Sequence, residues 1–178
     1  MKAVADIKAR INAARLAQEY WAALSWGERS RRIGVLEGYF AQKADELADC
    51  IHRDNGKTRL DALATEILPA AMATRYYRKN ARRFARPRRI PGGNLLMFNK
   101  KSRIVYKPYG VVGIISPWNY PFGIPYSEVV MALLAGNAVL LKVASDTMEV
   151  GRALEKAFKA AQLPEGLCTY VELPGKEA

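Results

Sequence analysis

The sequence predicts an α/β fold in which a helical layer, a short β-hairpin and a parallel sheet follow one another along the chain. Three observations carry that reading. Apolar residues recur at three- and four-residue steps through residues 1–86, the spacing of helices with one buried side. The composition changes at Pro87, and turn residues with short extended runs fill residues 87–107. From Gly110, short β-branched runs alternate with helical stretches across residues 108–178, the rhythm of parallel strands joined by helical crossovers.

Residues 3–24 read as a first helix, with Val4, Ile7, Ile11 and Leu16 on its apolar side. Ser25 followed by Glu28 has capping-box spacing, in which each side chain satisfies the other residue's free backbone N–H. The helix begun there carries Ile33, Leu36, Phe40, Leu47 and Ile51, and Asn55-Gly56 ends it because both residues tolerate a left-handed backbone. His52, near that end, reads as an exposed or dipole-stabilised imidazole. Thr58 and Asp61 give a second start signal, after which Leu60, Leu63 and Ile67 are expected to face inward. Pro69 is expected to break or kink this helix, with residues 76–84 helical beyond it. Asp45, Glu46, Asp49 and Asp54 are scattered as on a solvated face, so no acid–base pair is expected in the layer.

Arg88-Arg-Ile-Pro-Gly-Gly93 supplies turn residues, and residues 95–98 and 103–106 are the extended candidates. A hairpin turning at Asn99-Lys100-Lys101-Ser102 follows. Alone it would be marginal in water, so it is expected to pack against something. Residues 111–115 then read as a fully buried strand, 126–134 as a helix ended by Gly136-Asn137, and 138–143 as a second strand. A second helix over 147–161 and a third strand over 167–172 complete the series. This is βαβαβ, half of a Rossmann-like, dinucleotide-binding sheet. It is incomplete: two crossover helices do not cover both faces of such a sheet, and one edge is expected to lie open.

Composition narrows the chemistry. The two cysteines, Cys50 and Cys168, make no disulfide framework or metal cluster, and the single histidine disfavours a zinc site or a Ser-His-Asp triad. This cysteine usage fits a reducing compartment, and the expectation is cytoplasmic. No run approaches the ~18 apolar residues of a membrane span. Asp6 and the lack of a long apolar stretch near the N-terminus give no signal-peptide pattern. The net charge of +11 is localised: eleven bases and no acid lie between Arg75 and Arg103. Nucleic acid is the lesser reading, because aromatic interleaving is thin (Tyr76, Tyr77, Phe84) and no nucleic-acid motif is present. A solvated face that meets acidic surface elsewhere, on another part of the protein or a second subunit, explains it as well.

The stretch with the most chemical content is Ser116-Pro-Trp-Asn-Tyr-Pro121. Its prolines stop the first strand and hold Trp118 and Asn119 at a strand's carboxyl end, where open α/β sheets bind ligands. A packed loop in which Asn119 caps a backbone turn would account for the same spacing. The G-x-G-x-x-G fingerprint is absent.

This stretch, followed by Ala135-Gly-Asn-Ala-Val-Leu-Leu-Lys142, resembles the start of the coenzyme-binding domain of the aldehyde dehydrogenase superfamily. Asn55-Gly-Lys57, Tyr106-Lys-Pro-Tyr-Gly-Val-Val-Gly113 and Leu163-Pro-Glu-Gly166 match as well, as do Gln18, Trp21 and Ser25-Trp-Gly-Glu-Arg29. The resemblance runs over nearly the whole chain in the family's order. It implies that Ile115, Ser116, Pro117, Trp118 and Asn119 line a groove for NAD or NADP, and that Lys142 and Ser145 face the adenosine ribose. It also implies that Asn119 donates to the oxyanion formed when a nucleophile adds to an aldehyde. Phe122 is the expected wall of the substrate pocket. The hairpin would belong to an oligomerisation element, with a second copy, or a complementing C-terminal chain, as partner.

Two departures from the family pattern matter. Where the family often has Lys-Pro-Ser-Glu, this chain has Lys142-Val-Ala-Ser145, with Asp146 next. A glutamate at the ribose would repel a 2′-phosphate; serine does not, so NADP is expected to be tolerated or preferred, unless Asp146 turns into the groove. The family's nucleophilic cysteine and general-base glutamate fall beyond Ala178, and neither Cys50 nor Cys168, nor Glu165 or Glu172, matches them. The expectation is the N-terminal portion of an aldehyde dehydrogenase, inactive by itself. A non-catalytic NADP-binding or oligomerisation module is the alternative.

Overall fold

Ser25 shows how closely local chemistry shapes the helical layer. Its hydroxyl accepts the backbone N–H of Glu28 at 3.2 Å, while the Glu28 carboxylate accepts that of Ser25 at 2.8 Å. The computed structural model, which describes residues 2–90 and 99–175, places the end of α1 (Lys2–Ala23) and the start of α2 (Trp26–Gln42) on either side of this box. α1 buries Ala14, Ala17 and Trp21, while Leu16 is 71% exposed. Ile7 and Ile11 are half-buried, and the Val4 side chain lies outside the described residues. Small residues let α1 lie close against the strands, and this decides its inner face.

The helix expected to run on to Asn55 is broken at Lys43, giving α2 and α3 (Ala44–Asn55). No Gly or Pro marks this break, so no helix-stop residue announces it. Gly56 ends α3 at φ 76°, as the Asn-Gly pair implied. Thr58 caps α4 (Arg59–Ala62), accepting the Asp61 N–H at 3.1 Å. The chain then widens into one π-helical turn, Leu63–Ile67, before α5 (Leu68–Ala85). Pro69 sits in the first turn of α5 and does not break the run. The wide turn before it absorbs the mismatch that a proline ring creates with the preceding carbonyls. The extra residue also rotates the inward set: Ala62, Glu66 and Ile67 are buried, whereas Leu60 is 75% exposed.

β1 (Arg88–Ile90) pairs antiparallel with β2 (Ser102–Ile104), Arg89 opposite Arg103. The described partner of β2 is β1, and Ser102, expected in the turn, belongs to β2 opposite Ile90. Residues 95–98, expected as its strand, lie outside the described residues.

β3 (Val111–Ile115), β4 (Ala138–Lys142) and β5 (Cys168–Tyr170) form a parallel sheet in that order. α6 (Gly123–Leu134) and α7 (Met148–Ala160) are the crossovers. They pack against α2, α3 and α5, and α1 packs against the strands. One apolar core runs through the helical layer and the sheet, from Trp21, Ile33 and Phe40 to Tyr126, Val139 and Leu154. β3 is not fully buried as expected: Ile114 is covered and Ile115 is 68% exposed. The outer edges of both β3 and β5 are unpaired among the described residues.

Arg29 joins the two parts. It is 5% exposed. Its Nε donates to Leu134 O at 3.1 Å, and its Nη1 donates to Leu24 O at 2.6 Å and Ala22 O at 3.2 Å. One guanidinium thus satisfies carbonyls left open at the ends of α1 and α6. Asn137 ties β3 to α6, accepting from Gly110 N at 3.1 Å and donating to Ala132 O at 3.1 Å.

Candidate functional site

Parallel pairing places the candidate residues side by side. Ile115 ends β3 directly opposite Lys142 at the end of β4, and the Ser116 N–H donates to Lys142 O at 3.0 Å. The turn from Ser116 to Pro121 therefore leaves the sheet beside the chain segment that carries Lys142. Ser145 opens a 3-10 turn, Ser145–Thr147, that leads into α7. Ser145 and Asp146 are exposed and Lys142 is half-buried. These are the carboxyl ends of neighbouring parallel strands, the side on which open α/β sheets bind ligands.

The turn is open on one side and anchored on the other. Trp118, Asn119 and Tyr120 are exposed, while Pro121 is buried. Ser116 is 3% exposed, and its hydroxyl has no partner among the described residues. A buried hydroxyl left unpaired is costly. At a strand end it is a polar group ready for a coenzyme atom, and in this respect the residues fit the group. Asn119 has no hydrogen-bond partner among the described residues and is exposed. The alternative in which Asn119 caps its own turn is not what the geometry shows.

Phe122, expected as a wall of the substrate pocket, lies elsewhere. It is fully buried, edge-on to Phe40 with centroids 5.3 Å apart and stacked on Tyr126 at 6.0 Å. It precedes α6, and its ring turns inward with that helix's apolar side, so it is a core residue and not a wall.

The anchors come from the helical layer, where no functional residues were expected. Asn55 Nδ2 donates to Trp118 O at 2.8 Å. Lys57 Nζ lies 3.9 Å from the centre of the Tyr120 ring and 2.6 Å from Glu66 Oε1. Glu66 Oε2 accepts the N–H groups of Phe122 at 2.8 Å and Gly123 at 3.1 Å. Asn55 and Lys57 were visible as a helix stop and as part of the Asn55-Gly-Lys57 stretch that resembles the family, with no role attached to either. Glu66 was masked because its inward position depends on the π turn. Pro69, three residues on, was the available signal, since an interior proline disturbs the regular α-helical bonding of the turn before it.

Neither cysteine is a poised nucleophile. Burial pushes both thiols up, Cys50 to about 11, so both are protonated near neutral pH and lack the thiolate that attacks carbonyls. His52 is exposed on α3, its Nδ1 bonded to Lys57 O at 2.7 Å, a contact within the loop after α3.

Known proteins share both this sequence and this architecture. The aldehyde dehydrogenase family model matches residues 1–178. The chain is 36% identical over 165 residues to 4,4'-diapolycopene aldehyde oxidase of Methylomonas sp., covering 93% of this chain and 31% of that protein. It is 36% identical over 170 residues to a putative NADP(+) succinate-semialdehyde dehydrogenase of Mycolicibacterium smegmatis, covering 96% and 32%. Among solved structures, an NAD-dependent benzaldehyde dehydrogenase from Corynebacterium glutamicum superposes with a TM-score of 0.86 at 32% identity, over 98% of this chain and 37% of that one. The chain thus spans about a third of the length of the curated relatives it matches. With a family model matched along its whole length and an architecture shared with that benzaldehyde dehydrogenase, the chain belongs to the aldehyde dehydrogenase family.

Proposed function

We propose that this chain provides the oxyanion donor and part of the coenzyme groove for an NAD(P)-dependent oxidation of an aldehyde to a carboxylate. One observation supports the reading: the Ser116–Pro121 turn, with Asn119 exposed, leaves β3 where Ile115 pairs with Lys142, so the proposed donor and the proposed ribose-facing cation stand at the ends of neighbouring strands. Bound there, NAD or NADP supplies the hydride acceptor. Ser116 Oγ would donate to the coenzyme, with Lys142 and Ser145 at its ribose. The Lys142 ammonium and the absence of a carboxylate at position 145 favour acceptance of a 2′-phosphate. Relatives and structural neighbours carry names specifying either NADP(+) or NAD, which is why both coenzymes are kept.

Asn119 acts on the aldehyde oxygen. As a nucleophile adds to the carbonyl carbon, negative charge collects on that oxygen, and an amide N–H already aimed at it stabilises the charge without transferring a proton. Losing one such donor typically costs ~10²–10³ in turnover. The nucleophile and general base are assigned to residues outside this chain, since Cys50 and Cys168 are protonated thiols. We assign the β1–β2 hairpin to subunit contact. β1 is exposed along its length, Ile90 to 47%, and Val105 and Tyr106 just after β2 are 44% and 50% exposed. Cytoplasmic residence is proposed from the cysteine usage. Among the described residues no helix is long and apolar enough to cross a membrane.

Calorimetric titration tests the reading. The 178-residue chain is expected to bind NADP saturably, with little change between low and physiological salt, and to reduce no NADP when an aldehyde is added. Absence of binding would refute the coenzyme groove. Turnover by this chain would refute the assignment of the nucleophile elsewhere.

A further inference from the structure

The residue that would stabilise the oxyanion does not hold itself in place. Asn119 makes no hydrogen bond among the described residues, so its direction is set by its neighbours in the turn. We propose that Glu66, seated by Lys57, is a positioning residue that fixes the Asn119 turn; the inference rests on the oxyanion role proposed above.

Glu66 is fully buried and fully used. One carboxylate oxygen takes Lys57 Nζ at 2.6 Å, and the other takes the backbone N–H groups of Phe122 at 2.8 Å and Gly123 at 3.1 Å. Those are the first donors of α6, whose N-cap residue Phe122 offers no side-chain cap of its own. Donors in a helix's first turn have no partner within the helix, and Pro125 has no N–H at all. A carboxylate from the π turn completes the helix start, with its charge at the favourable end of the helix dipole.

The clamp reaches both sides of Asn119. Lys57, paired with Glu66, also lies against the ring of Tyr120 at 3.9 Å. Asn55, two residues before it, holds Trp118 O at 2.8 Å. Gly56 between them, at φ 76°, turns the backbone so that both side chains reach the turn. Ser116 is tied to β4 through Lys142 O. Every flank of Asn119 is therefore fixed, and the amide itself is left to the substrate.

An apolar residue at position 66 would join the layers as well or better, since a buried ion pair contributes little net stability over hydrophobic packing. Only a carboxylate accepts two N–H groups and an ammonium together. It sits inward because the π turn rotates it there, a distortion frequent at functional sites. Aimed donors are worth most when they need no reorganisation as charge develops, and such aiming is what the clamp supplies.

Nuclear magnetic resonance on the 178-residue chain tests the clamp through Glu66→Gln, which keeps shape and removes charge. The Phe122 and Gly123 amide protons are expected to move upfield. Hydrogen exchange at Phe122 and Gly123, whose N–H groups Glu66 accepts, is expected to rise about tenfold, with α7 amides unchanged. The Asn119 side-chain NH₂ signal, which global stability does not move, is expected to lose order. Lys57→Gln, at a half-buried site, is expected to release Tyr120 and disorder Asn119 in the same direction, and it serves if Glu66→Gln fails to fold. An Asn119 side chain as ordered as in the wild type, in either folded variant, overturns the clamp. Failure of the wild-type chain to bind NADP would overturn the functional reading alone, because Glu66 makes no contact with Lys142 or Ser145.

Discussion

Arg29→Met removes the guanidinium that joins the ends of α1 and α6 while keeping most of the aliphatic stem. Two bonds dominate the loss, to Leu24 O at 2.6 Å and Leu134 O at 3.1 Å. Bonds to a charged donor in such a place are worth about 1.5–3 kcal/mol each. Against this stands relief from burying a cation, the cause that lowers the Arg29 pKa below the ordinary arginine value, and the retained packing on Trp26. A net destabilisation of about 2–4 kcal/mol follows. For a chain of this size, that is about 5–15 °C in Tm. Arg29→Lys should recover about half, since one ammonium reaches one helix end but not both. Urea titration and thermal scans by circular dichroism measure both variants. A loss in Arg29→Met below about 0.5 kcal/mol, in the range of ordinary surface substitutions, would refute the bridging role.

Two further predictions concern chemistry. The Cys50 thiol is pushed up to about 11 by burial and by Asp54, so at neutral pH it should alkylate about a hundredfold more slowly in the folded chain than in the unfolded one. Its raised folded value also sets the sign of a pH effect. The stability it contributes is fully present below the unfolded value near 9 and is lost as pH rises through about 11; urea titrations across that window read the loss, and rapid alkylation of folded Cys50 at pH 7 would contradict the assignment. In the groove, Ser145→Glu should weaken NADP by about five- to thirtyfold and leave NAD nearly unchanged, from a like-charge cost of about 1–2 kcal/mol at an exposed site. Parallel titrations with both coenzymes measure the ratio, and an equal loss for both would remove the ribose role of position 145.

What the sequence made legible was local. The Ser25–Glu28 box, the Thr58 cap, the Gly56 stop and β3 follow from spacings of a few residues, where the chain's own chemistry decides the outcome. Other features depend on partners distant in sequence. Leu16 lies outward because Ala14 and Ala17 give the closer approach to the strands. Phe122 turns inward because Phe40 and Tyr126 complete its packing. The break at Lys43 carries no Gly or Pro, and β1 was found as the partner of β2 only in three dimensions. For the site, the turn and Lys142 were readable as motifs. Glu66 was not, because a charged residue at an inward position depends on one extra residue in a helical turn.

The most direct measurement of the central claim is an amide and side-chain shift map of the 15N-labelled chain with and without NADP. The account predicts saturable changes confined to Ile115–Asn119 and Lys142–Ser145, at the ends of β3 and β4. Changes centred on the basic stretch from Arg75 to Arg103, or none at all, would contradict it.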